Sequence, residues 1–358
     1  MIRVLVVDDS SVSREHIVYI LSLDPEIEII GTARDGEEAV ALARRWRPDV
    51  VTMDIHMPTM DGFEATRRIM ETSPVPIVIV TGVLNPREAA TTFRVMEAGA
   101  LAIVRKPAGP GSPENQTAID ELTGTIKLMS EVKVVRRWPG YRQPTVKLPP
   151  EVETRERELP GSARVVAIGA STGGPSVLKT ILSGLPRGFP VPILIVQHMA
   201  AGFLQGMLDW LSESSGVPLH IAAQGQRIEP GHAYFAPDHF NMGIGEGGTI
   251  ALSSEPNEER GAWPSVSHLF RSVAEVYGPA AIGILLTGMG VDGAAELRLL
   301  KDKGALTFAQ DRASSVIYGM PGAAEELQAA TFILPPEEIA AALRGIDAMT
   351  GGRGSWRT

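Results

Sequence analysis

Short, almost continuously apolar runs recur along the first 130 residues, at 4–7, 27–30, 50–53, 77–80 and 102–104. Between them, residues 37–46, 63–70, 87–98 and 118–129 carry apolar positions at helical spacing. Strands this short and this apolar, each followed by a helix, predict a parallel sheet covered on both faces. Residues 131–162 break the pattern with Pro139, Gly140, Pro144, Pro149, Pro150, Pro160 and Gly161, around a charged stretch at 151–158. Proline denies such a segment regular pairing and the charges keep it solvated, so it reads as a linker. The alternation restarts at 163, with strands expected at 164–168, 193–196, 282–286 and 306–308. Helices are expected at 177–182, 202–212, 266–276 and 293–303. The chain therefore divides into an α/β domain at 1–130, a linker at 131–162 and a second α/β domain at 163–350.

A length of 358 residues suits two cores rather than one. The formal net charge of -9 repels phosphate backbones, which argues against nucleic acid as a partner. There are no cysteines, so disulfides, thiolate nucleophiles and Cys-type zinc sites are excluded. The opening MIRVLVVDD has too short an apolar run for a secretory leader, and no stretch approaches a membrane span. The expected setting is the cytoplasm, without membrane insertion.

Three carboxylates sit at strand ends: Asp8 and Asp9 after the first strand, Asp54 after the third. In an open parallel sheet these ends converge near the point where strand order reverses. Crowded carboxylates repel unless a cation joins them, and Mg²⁺ suits a few carboxylates plus a phosphate oxygen. Thr81 and Lys106 stand at the ends of the fourth and fifth strands. A hydroxyl and an ammonium beside such a cluster suit phosphoryl transfer. Taken singly, Asp8 or Asp9 would serve as well to cap a helix near Ser13, and Lys106 as a surface charge.

Together, VLVVDDS, MDIHMPTMDG, IVTG and the later GA and KP pairs make the first 125 or so residues resemble a response-regulator receiver domain. The resemblance implies a flavodoxin-like (βα)5 fold. It implies Asp54 as acceptor of a phosphoryl group from a sensor histidine kinase, with Asp8, Asp9, Asp54 and the carbonyl of His56 holding Mg²⁺. Thr81 and Lys106 would sense the phosphoryl group. His56 and Ala102 depart from the residues that receivers often carry at those positions.

Gly169-Ala170-Ser171-Thr172-Gly173 has G-x-S-x-G spacing between a strand and a helix expected near Pro175. Such a turn exposes a hydroxyl beside free helix N–H groups. Two other readings remain open on spacing alone: a phosphate loop, and Ser171 as an ordinary helix cap. The phosphate loop lacks its supports, because the next strand ends Gln197-His198-Met199 without an acidic residue, and no Walker lysine is present. A serine nucleophile needs a base and an orienting acid. His198 directly follows the neighbouring strand, and Asp292 follows the Thr287–Gly290 loop, where it could instead cap the next helix. The order Ser, His, Asp differs from that of ordinary α/β-hydrolases.

VVAIGASTGGP, ILIVQHM, ILLTGMGVDGA and AQDRASSVIYGMP resemble the methylesterase domain that accompanies receivers in bacterial chemotaxis. That resemblance implies a doubly wound, Rossmann-like parallel sheet. Ser171 would be nucleophile, His198 base and Asp292 orienting acid, with the Met289 N–H donating to the oxyanion and Thr172 supporting the site. The implied substrate is a glutamate methyl ester on a chemoreceptor cytoplasmic domain, hydrolysed to methanol without a cofactor, with glutamine deamidation as a second activity. Phosphorylation of Asp54 would regulate the hydrolase. Ser267-His268 departs from the acidic–apolar pair often found there. A non-catalytic binding module remains the alternative class.

Overall fold

Each apolar run of the N-terminal part becomes a strand of one parallel sheet. The computed structural model describes residues 1–82, 86–108, 115–132, 134, 157–158, 163–245, 247–254, 263–346 and 355–356. The chain forms two compact units, Met1–Leu148 and Pro149–Thr358. Most of the 131–162 segment, and with it the reading of a linker, lies outside the described residues.

The first unit runs β1 (Ile2–Val7), α1 (Ser11–Ser22), β2 (Ile27–Ala33), α2 (Gly36–Trp46), β3 (Val50–Met53), α3 (Gly62–Thr72), β4 (Ile77–Thr81), α4 (Pro86–Ala98), β5 (Ala102–Arg105) and α5 (Asn115–Ser130). Its five-stranded sheet has the order β2-β1-β3-β4-β5, and every pair is parallel. β3 and β4 are buried along their whole length, which is why their sequences are apolar without alternation. Helix starts follow local chemistry. Asp35 caps α2 by accepting from the Glu38 N–H at 2.9 Å, while the Glu38 carboxylate accepts from the Arg34 N–H at 3.0 Å. Asp61 caps α3 through the Glu64 N–H at 2.8 Å.

The second unit begins with β6 (Arg157–Glu158), which pairs antiparallel with β16 (Ser355–Trp356). Between them come β7 (Val165–Ala170), α6 (Gly174–Ser183), β8 (Ile193–Gln197), α7 (Leu204–Ser212), β9 (Leu219–Ile221), β10 (Ala233–Phe235), β11 (Asn241–Gly245) and β12 (Thr249–Ser253). There follow α8 (Val266–Val276), β13 (Ala281–Leu285), α9 (Ala294–Asp302), β14 (Leu306–Gln310), α10 (Met320–Glu326), β15 (Phe332–Leu334) and α11 (Pro336–Arg344). Seven strands form one parallel sheet, ordered β15-β14-β13-β7-β8-β10-β9. β11 and β12 form a separate hairpin. The chain builds outward from β7 in both directions, so strand order reverses between β7 and β13. That is where parallel sheets place their sites. Residues 213–262 carry no element in the sequence reading, because three-residue strands such as β9 and β10 are too short to show a period. No helix among the described residues is long and apolar enough to cross a membrane.

Candidate functional site

Ser171, His198 and the loop to Asp292 all leave the C-terminal edge of the second sheet. β7 and β8 pair in register through Ala170 and Gln197, so Ser171 and His198 are the next residues on adjacent strands. The His198 N–H continues the ladder by donating to the Ala170 carbonyl at 2.9 Å. Ser171 is fixed by its backbone. Its N–H donates to the Thr287 carbonyl at 3.0 Å, and its carbonyl accepts from the Gly174 N–H and the Gln197 Nε2, each at 2.8 Å. Gln197 Nε2 also donates to the His198 carbonyl at 2.8 Å, tying the two strand ends together. Ser171 does not cap α6. The cap is Gly173, left-handed at φ 81 and without a side-chain bond, where a Cβ would lie 2.7 Å from Val316. The Ser171 hydroxyl has no hydrogen-bond partner among the described residues, and the side chain sits at a 9% exposed position at the sheet edge.

Asp292 does not cap the helix that follows it; Gly293 does so, without a side-chain bond. Its carboxylate instead closes the start of α8, accepting from the Val266 N–H at 2.7 Å, the Ser267 N–H at 3.0 Å and the Ser265 hydroxyl at 3.3 Å. His198 Nε2 lies 3.0 Å from the same carboxylate. Burial alone would raise the Asp292 carboxyl, but the His198 hydrogen bond and charge, with the Ser267 donors, bring it down to about 2. The positive end of the α8 dipole works in the same direction. An ionised carboxylate only accepts, so His198 carries its proton on Nε2 and presents the Nδ1 lone pair.

Ser267, one of the two residues that depart from the usual pair, is 1% exposed, and its hydroxyl accepts from the Gly293 N–H at 2.9 Å. Ser265 and Asn241 were not singled out in the sequence. Asn241 Oδ1 accepts from the Ser265 N–H at 2.8 Å and sets the cap that receives Asp292. The Ser265-x-x-His268 cap was legible as a helix start, but its tie to Asp292 spans 27 residues.

The loop after β13 lies against Ser171. A Cβ at Gly288 would come 2.5 Å from Ser171 Cβ and would overlap the Met320 sulfur. Next to it, the Met289 N–H has no hydrogen-bond partner among the described residues. Thr172 contributes its carbonyl, which accepts from the Thr287 hydroxyl at 3.0 Å. Gly288→Ala is therefore expected to displace Ser171, lowering stability by about 1–3 kcal/mol and kcat by more than about tenfold. Thermal unfolding and ester hydrolysis measure the two effects.

In the first unit, carboxylate oxygens of Asp8, Asp9 and Asp54 lie within 4.8 Å of one another. Lys106 Nζ is 2.8 Å from both Asp8 Oδ2 and Asp54 Oδ2. Asp8 does not cap α1; Ser10 does, while Asp8 accepts from the Ser10 N–H at 3.0 Å and the Ser13 hydroxyl at 2.6 Å. Thr81 is buried at the end of β4, where its carbonyl accepts from the Lys106 N–H at 2.7 Å. His56 is exposed in the loop after Asp54. Burial pushes the Asp54 carboxyl above the usual range, against the pull of Lys106 and with the added push of Asp8. Three converging acidic oxygens with one ammonium between them fit a small hard cation.

Comparison with known proteins agrees with this layout. A family model for the CheB methylesterase matches residues 166–343, and one for the response regulator receiver domain matches residues 4–114. The chain is 54% identical, over 353 residues and 98% of each chain, to the protein-glutamate methylesterase/protein-glutamine glutaminase of Nitrosospira multiformis. It is 53% identical to the corresponding protein 4 of Geobacter metallireducens, covering 97% of this chain and 99% of that one. The solved CheB methylesterase catalytic domain of Thermotoga maritima shares 33% identity at a TM-score of 0.50, over 52% of this chain and 100% of its own.

Proposed function

The chain belongs to the CheB methylesterase family, in the form that carries a receiver domain, and on that premise we propose which residues do its chemistry. Its activity is that of a phosphorylation-regulated protein-glutamate methylesterase and protein-glutamine glutaminase. Ser171 is the nucleophile, His198 the base and Asp292 the residue that fixes the histidine tautomer. The observation that carries this assignment is the 3.0 Å bond from His198 Nε2 to an Asp292 already held at about 2, on the strand next to Ser171.

The Ser171 oxygen attacks the γ-ester carbon while His198 Nδ1 takes its proton. The resulting oxyanion is met by the Met289 N–H, and Thr172 supports the loop contact through its carbonyl. The C–O bond to the methoxy group breaks, and methanol leaves with the proton that His198 returns. Water then attacks the acyl-serine, again through His198, releasing glutamate and restoring the hydroxyl. A glutamine side chain follows the same course with ammonia as leaving group. None of these steps needs a cofactor.

In the receiver, residues 1–130, Asp54 takes the phosphoryl group. Asp8, Asp9, Asp54 and the His56 carbonyl would hold Mg²⁺, which neutralises charge on that group. Thr81 and Lys106 are placed to engage it. Residues 131–162 join this domain to the hydrolase at 163–350. The phosphodonor is a sensor histidine kinase, the substrate a methylated chemoreceptor segment on its helical cytoplasmic domain, and the setting the cytoplasm.

The test is methanol release from methylated receptor membranes, with Mg²⁺ and acetyl phosphate present or absent. The wild type is expected to release more methanol with the phosphodonor. Asp54→Asn is expected to keep the basal rate and lose the rise. An Asn variant that is activated as the wild type is would overturn the role of Asp54.

A further inference from the structure

The edge of the sheet that holds Ser171 carries more than the catalytic groups. Read across the sheet, the loops that leave β14, β13, β7, β8 and β10 come in that spatial order. They bring Arg312, then Met289 and Val291, then Ser171, then His198, then Phe240. Neighbouring strands lie about 4.8 Å apart, so Arg312 and Phe240 leave strands that are each roughly 10 Å from β7, on opposite sides. The whole edge is roughly 20 Å long, the length of about 13 residues of α-helix.

The two flanks differ in chemistry. On one side the exposed apolar residues are Phe240 at 40% and, beyond it, Trp263 at 38%, packed edge-on against His239 at 5.7 Å. Met289 and Val291, each 54% exposed, follow β13 and lie between Ser171 and the Arg312 flank. On the other side Arg312 is exposed and makes no ion pair among the described residues. Its guanidinium sits 4.4 Å over the Tyr318 ring. The Tyr318 backbone is anchored to the active site, bridging in parallel with Gly288, the residue pressed against Ser171. An unpaired cation held in place on an aromatic platform, in a chain of net charge -9, marks a position that favours a carboxylate partner.

We propose that this edge is the docking surface for the substrate helix, and that Arg312 reads a carboxylate about seven residues from the glutamate ester being cleaved. The proposal rests on the esterase reading of Ser171 given above. Residues i and i+7 lie on one helical face about 10.5 Å apart, which matches two strand spacings. An ester held over Ser171 then places a glutamate at that distance beside Arg312, and the opposite end of the helix on Phe240 and Trp263. Each hydrolysis also converts a neutral ester into a carboxylate. A segment with ester groups seven residues apart would therefore acquire its Arg312 partner from the first cleavage, which favours a second.

The test uses the full-length protein, activated with acetyl phosphate, and helical peptides that carry one glutamate γ-methyl ester. One peptide has glutamate seven residues to either side. The other has alanine there, since glutamine would itself be a substrate. p-Nitrophenyl acetate serves as a small neutral ester. The wild type is expected to show a KM roughly three- to tenfold lower for the glutamate peptide, an advantage that shrinks in high salt. Arg312→Ala should remove the preference and Arg312→Glu should reverse it, with turnover of the small ester unchanged. Trp263→Ser should raise KM for both peptides alike. Equal KM values in the wild type, or a preference that survives Arg312→Glu, would overturn the docking proposal while leaving the esterase intact. A wild type that cleaves neither the peptides nor the small ester would overturn both.

Discussion

Ser171→Ala is expected to lower kcat for ester hydrolysis by about 10⁴- to 10⁶-fold, the loss typical of deleting a serine nucleophile. Stability should scarcely change. The hydroxyl has no hydrogen-bond partner among the described residues, so removing it leaves no buried group unsatisfied. The backbone bonds that hold residue 171, to Thr287, Gly174 and Gln197, do not depend on its side chain. Thermal unfolding should therefore move by no more than about 0.5 kcal/mol. Residual activity should persist above the uncatalysed rate, because the Met289 N–H and the substrate surface remain. A variant that retains a tenth of the wild-type rate would remove Ser171 from the mechanism. The absence of cysteine adds a second measurement. Ser171→Cys places one thiol in the whole chain, and its alkylation rate against pH reports whether His198 acts on that atom.

Much of this was legible because parallel sheets encode themselves simply. β7, β8 and β13 are buried along every residue, so their sequences are plain apolar runs, and the residues just after such runs form the candidate site. Ser171, His198, Asp8, Asp54 and Lys106 could be found that way. What the sequence hid was the destination of side chains across long separations. Asp292 read equally well as the cap of α9, yet it closes α8, 25 residues upstream of it at Ser267. Ser267 stood out only as a departure from the usual pair, and its bond to the Gly293 N–H, 26 residues away, could not be read from spacing. Gln197 gave no signal beyond adjacency to His198. Its bridge between the carbonyls of residues 171 and 198 exists only once β7 and β8 are paired. Gly174 answers it from the facing element, since a Cβ there would overlap the Gln197 amide oxygen.

Asp292→Asn is expected to cut kcat by about 10⁴-fold, through the histidine rather than through direct contact with substrate. An asparagine can turn its amide N–H groups toward His198 Nε2. The neutral ring then carries its proton on Nδ1, where the base is needed. The same substitution tests the electrostatics of the fold. The Asp292 carboxyl stands at about 2 in the folded chain against an ordinary 3.8. A group whose folded value is depressed stabilises the fold fully above its unfolded value and loses that contribution as pH falls through the folded one. The window is therefore from about 3.8 down to about 2, and the amount is about 2 kcal/mol. Solvent screening takes little from it, because the side chain is only 7% exposed. Urea unfolding of wild type and Asp292→Asn should differ most near pH 6, and the gap should narrow steadily toward pH 2.5. A gap independent of pH would mean that the α8 amides and His198 do not hold Asp292 as an anion. An Asn variant with near-normal kcat would mean that the His198 tautomer is set by something else.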